Sequence, residues 1–119
     1  MVTQQDVSTF LKDFQLKLGI WGIIYLDKRP KNAQTLASLE ISPAERTTVI
    51  RTLSVEDYSE GPIEDIIYKG KDLWVFGKRI KNQEVYIKIT LGNPSKQTIC
   101  ISFHLSEYPM KYPFKHQKT

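Results

Sequence analysis

Glu84-Val85-Tyr86-Ile87-Lys88-Ile89-Thr90-Leu91 and, after the break Gly92-Asn93-Pro94-Ser95-Lys96-Gln97, Thr98-Ile99-Cys100-Ile101-Ser102-Phe103-His104-Leu105-Ser106 are the segments that decide the fold. Both are apolar at odd positions and polar at even ones. Such alternation marks a strand with one face on a core and the other turned outward. Joined by so short a break, the two read as a hairpin. Their odd faces, Val85, Ile87, Ile89 and Leu91 with Ile99, Ile101, Phe103 and Leu105, should share the core. A one-residue slip would bury the polar set instead. The even faces then share the opposite side, which puts Tyr86 and Lys88 across from, or diagonal to, His104 and Ser102.

Working outward, residues 73–80 read as a third strand, closed against the hairpin by a tight turn at Lys81-Asn82, where Asn tolerates positive φ. A two-residue turn places Val75, Gly77 and Arg79 on the face of Tyr86, with Arg79 opposite Glu84; a longer one would bring Lys78 there. Trp74 and Phe76, at period two, read as core. The first half reads as helical. Thr3 caps a helix whose Val7, Phe10, Leu11, Phe14 and Leu18 share one face, with Gly19 as its end. The apolar run 20–26 reads as a buried strand, or a helix end that turns into one. Residues 32–40 suggest a short helix around Leu36 and Leu39. Ser42-Pro43-Ala44-Glu45 is a capping box with proline at the first helical position, opening a helix to about residue 53. Residues 54–70, punctuated by Gly61-Pro62, read as a surface wrap with at most a helical turn at 63–67. Two prolines and three aromatics in 108–114 predict an extended tail, 107–119, lying over the body, with 116–119 loose. The expected fold is α/β in the α+β sense. A single domain, 1–119, sets N-terminal helices on a mainly antiparallel β-sheet.

The 119 residues carry 17 Lys and Arg against 13 Asp and Glu, a formal net charge of +4. That mild excess suits an anionic partner, either nucleic acid or an acidic protein. One cysteine, Cys100, allows neither an internal disulfide nor, alone, a zinc site. No apolar run approaches the roughly 20 residues of a membrane span. The start Met1-Val2-Thr3-Gln4-Gln5-Asp6 has no signal-peptide pattern. A cytoplasmic protein without membrane contact is expected. Asp57, Glu60, Glu64 and Asp65 form an acidic group without metal-ligand regularity, and the glycines lack phosphate-loop spacing, so neither metal nor cofactor is expected. Cys100, placed among hydroxyls with no helix N-terminus to activate it, is not expected to be a nucleophile.

The even face carries the chemistry. RNA can be cut without a metal by its own 2′-hydroxyl if the protein moves the protons and stabilises the charged phosphorane. The His104 imidazole can exchange a proton near neutral pH, Lys88 can neutralise phosphate charge, and Tyr86 can donate a hydrogen bond or stack on a base. These three are the candidate catalytic residues. Ser102, on the face of Lys88, and the basic Lys78 and Arg79 beside Trp74 and Phe76 are candidate RNA contacts. The plain alternative is a solvated sheet face with no chemistry.

The chain resembles the MqsR toxins, the motility quorum-sensing regulator family. The resemblance lies in Leu53-Ser54-Val55-Glu56-Asp57-Tyr58 after a helix, Trp74 at a strand start, and Val85-Tyr86-Ile87-Lys88-Ile89-Thr90 followed by Ile101-Ser102-Phe103. It extends from about residue 32 to 104. The ending Ile99-Cys100-Ile101-Ser102-Phe103-His104, then Tyr108-Pro109-Met110-Lys111-Tyr112-Pro113-Phe114, is similar to a longer branch of that family. The resemblance implies a RelE-like fold and a metal-independent endoribonuclease, an mRNA interferase. It further implies a type II toxin whose partners are mRNA and a cognate antitoxin, expected to be a small helix-turn-helix protein. The family's active tyrosine corresponds to Tyr86. His104 stands where the family has a lysine. A second family lysine falls near Ser59 or Glu60, and a glutamine at Val75, so both are missing here. Lys78, Arg79 or Lys111 would supply the missing charge. A non-catalytic RNA- or protein-binding domain of the same fold is the alternative.

Overall fold

A computed structural model describes residues 1–115; the expectation for 116–119 lies outside them. The chain runs α1 (Gln4–Trp21), β1 (Ile23–Tyr25), α2 (Pro30–Leu39), α3 (Pro43–Arg51), a 3₁₀ turn (Val55–Asp57), β2 (Tyr58–Ile63), β3 (Leu73–Ile80), β4 (Gln83–Thr90) and β5 (Thr98–Leu105). The five strands form one sheet in the order β1-β5-β4-β3-β2. Only β1 and β5 pair in parallel, so the sheet is mainly antiparallel and the fold is α+β. No helix among the described residues is long and apolar enough to cross a membrane.

The helices cover one face. The residues α1 buries are Val7, Phe10, Leu11, Phe14 and Leu18, the set its spacing picks out. Thr3 and Asp6 close a reciprocal cap at its start. Phe10 stacks on Trp74 at 4.6 Å, while Phe14, Phe76, Ile87 and Phe103 are fully enclosed. Each such side chain contributes about 1.5–3 kcal/mol relative to exposure. At Ser42 the cap forms as expected, with Glu45 N donating to Ser42 Oγ and Ser42 N to Glu45 Oε1. The Lys81-Asn82 turn has positive φ at both residues, 50° and 66°, the two-residue hairpin geometry that matches strand twist.

Three expectations need correction, and one alternative is resolved. Gly19 does not end α1, which continues to Trp21 and stops at Gly22, where φ is +83°. Of the two readings of the run 20–26, the structure bears out the helix end that turns into a strand, not the buried strand. Ile20 and Trp21 finish the helix at 65% and 47% exposure, and only Ile23–Tyr25 is extended, at the sheet edge. The wrap at 54–70 holds a 3₁₀ turn and a full strand, β2, and a helical turn falls at 65–69, where Lys69 N donates to Asp65 O at 2.9 Å, rather than at 63–67. Pro62 is compatible because β2 is the other edge strand. Finally, the alternation along Thr98–Leu105 is broken. Lys88 pairs with Ser102 but Ile89 pairs with Cys100, so Ile101 is an extra residue. This bulge turns Cys100 into the core in place of Ile99 and Ile101.

Asn32, in the first turn of α2, holds that bulge. Its amide nitrogen donates to Leu26 O and Ile101 O at 3.0 Å each, and its Oδ1 accepts from Phe103 N at 3.0 Å. The side chain continues the sheet edge where the three-residue β1 has run out. Asn32→Ala would strand Ile101 O and Phe103 N, each costing about 1–3 kcal/mol when buried without a partner, while Leu26 O keeps its bond from Arg29 N. The expected loss is about 2–4 kcal/mol, read from urea unfolding. An unchanged midpoint would show that Asn32 does not hold the edge.

Candidate functional site

The register puts the polar face together as its parity requires. Tyr86 pairs directly with His104, and Lys88 with Ser102. The two rings stack with centroids 5.1 Å apart and planes 11° from parallel. Lys88 Nζ lies 5.7 Å from the centre of the Tyr86 ring. His104 Nδ1 is 3.0 Å from Leu105 O. A carbonyl only accepts, so Nδ1 carries the hydrogen and Nε2 is the atom left for proton exchange. Burial, and then the nearby Glu60 carboxylate, push the Tyr86 phenol above its ordinary value. It therefore stays a neutral donor at physiological pH.

These groups floor a groove of about 620 Å³. Its walls come from three places: Arg29 and Lys31 before and within α2, Ser59 and Glu60 on β2, and the segment from Ser106 to Lys111 after β5. Four Lys and Arg side chains face two carboxylates there, so its formal charge is positive even without His104. Lys31 is paired with Glu107, and this holds the Glu107 carboxyl below its usual range.

The tail makes one wall because Glu84 ties it down. Glu84 accepts from Met110 N at 2.9 Å and from Tyr112 Oη at 2.7 Å. Burial and the Glu84 carboxylate push the Tyr112 phenol well up. Gly77 leaves the room. A Cβ there would collide with Tyr112 Oη and lie 2.8 Å from Met110 Sδ. Beyond, Phe114 stacks on Tyr58 at 5.3 Å, so the tail crosses from β5 to β2.

The sequence candidates divide. Tyr86, His104, Lys88, Ser102 and Lys111 share the groove, whereas Lys78 and Arg79 do not. Lys78 pairs with Val85, on the face opposite Tyr86, and binds Asp57 at 3.0 Å. Arg79 shares the parity of Tyr86 but sits at the turn end, donating to Asn82 O. Cys100 does not lie among hydroxyls. It is fully buried in the core, and burial pushes its thiol up to about 12, which makes it inert. Of the acidic group, Asp57 serves Lys78 and the Ser54 cap, and Asp65 caps a turn. No metal-ligating cluster occurs among the described residues. Arg29, Lys31, Glu60, Glu107 and Tyr108 escaped the sequence reading. Only Glu60 had a local signal, an extended Tyr58-Ser59-Glu60 hidden by Gly61-Pro62.

Glu84→Ala removes both ties on the tail. Hydrogen exchange at the Met110 amide is expected to rise roughly tenfold or more, the scale of a lost charge-assisted bond, with the β4 and β5 core amides unchanged. Wild-type protection at Met110 would mean that the tail is held elsewhere. Compared with known proteins, the chain matches no family model, no curated protein and no solved structure.

Proposed function

We propose that this protein is a metal-independent endoribonuclease that cuts mRNA in the cytoplasm, acting as the toxin of a type II toxin–antitoxin pair of the MqsR kind. The observation that carries the reading is the Tyr86–His104 stack with Lys88 beside it on the floor of a cation-lined groove. RNA brings its own nucleophile, the 2′-hydroxyl. What the protein must add is proton transfer and charge stabilisation, and these side chains are suited to both. His104 Nε2 moves a proton. Lys88 and the un-ionised Tyr86 phenol donate to the phosphoryl oxygens as charge builds. Arg29 and Lys111 hold neighbouring phosphates, which accounts for an open groove rather than a closed small-molecule pocket. A cognate antitoxin silences the enzyme. A chain of +4 charge would be steered towards an acidic one.

Purified protein is expected to cleave a long mRNA equally with and without EDTA. Tyr86→Phe and His104→Ala should each lower the rate by about 10²-fold, the scale of a general acid–base or oxyanion-stabilising group, without unfolding the protein. Cleavage by both variants at the wild-type rate would place the chemistry elsewhere. Salt-dependent RNA binding with no cleavage by the wild type would instead favour a non-catalytic RNA-binding domain.

Co-expression with the product of the neighbouring gene should recover both chains through a tag on one of them. Recovery of this protein alone, fully active and harmless to its host, would refute the toxin reading.

A further inference from the structure

Cleavage by a 2′-hydroxyl needs two proton transfers, one from the attacking oxygen and one to the leaving oxygen. Among the described residues the groove holds one imidazole, and a second group must complete the pair. Tyr86 is unsuited to take a proton, since burial and Glu60 keep its phenol un-ionised. Lys88 is a cation with no acceptor. Two carboxylates remain. Glu107 is engaged by Lys31. Glu60 lines the same groove, is exposed, and has no ion pair among the described residues.

We propose that Glu60 is the general base and His104 the general acid of the cleavage reaction, an assignment that rests on the ribonuclease reading above. Their placement fits in-line displacement, in which the attacking and leaving oxygens lie on opposite sides of phosphorus. Glu60 is on β2 and His104 on β5, with β3 and β4 between them. Three strand spacings separate their backbones by about 14 Å. Two side chains reaching inward from that separation leave room for one phosphodiester, which would rest on Tyr86 and Lys88. Glu60 belongs to the row Glu60–Val75–Lys88–Ser102, and Tyr86 and His104 to the next row. In the reaction, the 2′-hydroxyl proton passes to the Glu60 carboxylate as the 2′-oxygen bonds to phosphorus. The bond from phosphorus to the 5′-oxygen breaks, and that oxygen takes the proton from Nε2 of His104, which enters the step as the imidazolium with both nitrogens protonated and leaves it neutral with its hydrogen on Nδ1. The products are a 2′,3′-cyclic phosphate and a 5′-hydroxyl end, and nothing is oxidised or reduced.

The test uses an RNA oligonucleotide containing a bond that the wild-type protein is first shown to cut. A second version carries sulfur in place of the 5′-oxygen at that bond. A thiolate leaves without being protonated, so sulfur removes the need for an acid but not for a base. With the oxygen substrate, Glu60→Gln and His104→Ala should each lose about 10²-fold in rate. RNA affinity and thermal midpoint should be unchanged for Glu60→Gln, whose side chain is exposed and isosteric. Sulfur should restore His104→Ala towards the wild-type rate and leave Glu60→Gln impaired. Glu60→Asp, which keeps a shorter carboxylate, should retain more activity than Glu60→Gln. Wild-type cleavage by Glu60→Gln, or its rescue by sulfur while His104→Ala stays slow, would overturn the assignment. Failure of the wild type to cut any RNA would overturn the ribonuclease reading itself, a separate outcome.

Discussion

The groove depends on three hydrogen bonds from one side chain. Asn32 satisfies Leu26 O, Ile101 O and Phe103 N where β1 has ended and β5 carries an unpaired residue. Without a partner, that stretch of backbone would be buried and unsatisfied, which proteins rarely tolerate. With it, β5 can change parity in mid-strand. Below the bulge, Cys100 joins the core; above it, Phe103 enters the core while Ser102 and His104 join the polar face. The amide is nearly inaccessible, at 2% exposure, and every polar atom it offers to the sheet is used.

A second polar contact, buried on its Arg46 side, braces the same corner from the helical side. Arg46 forks onto Asp27 at 2.8 and 3.0 Å and lies 3.5 Å over the Tyr25 ring. Tyr25 Oη in turn meets Thr47 Oγ1 at 2.7 Å. These contacts fix α3 against β1 and the start of the segment that leads into α2. Asp27 remains open to solvent while Arg46 is buried, so losing Asp27 would leave a buried guanidinium unpaired, and the arrangement acts mainly to specify geometry. The position of Asn32, and so of Arg29 and Lys31 beside it, follows from how that segment is anchored.

The open face is shaped by what is missing as much as by what is present. Gly77 lacks a side chain where the tail passes, which lets Met110 and Tyr112 reach Glu84. The tail thereby becomes a wall and leaves Lys111 facing the groove. Tyr86, Lys88 and His104 on the floor are half-buried, so their interactions are stronger than those of fully solvated groups. Groove charge and burial act together: cations at the rim make the groove positive, and the less hydrated floor keeps the Tyr86 phenol a donor.

Local patterns carried much of this structure. The apolar set of α1, the capping box at Ser42, the two-residue turn at Lys81-Asn82 and the facing of Tyr86 with His104 all follow from rules that operate within a few residues or across one hairpin. The edge strand β2 was hidden because proline and glycine usually punctuate, and only its place at the sheet edge makes them compatible with pairing. The bulge was hidden because alternation says nothing of an extra residue until a partner strand and a side chain such as Asn32 are there to absorb it. The sequence by itself determined which face of β4 and of the end of β5 would be polar, since period-two burial admits one register. Tertiary structure alone decided that Lys78 turns away, that Cys100 is core, and that Arg29, Lys31, Glu60 and Lys111 converge on Tyr86. Those placements depend on segments far apart in the chain meeting around one sheet, and no local periodicity encodes such a meeting.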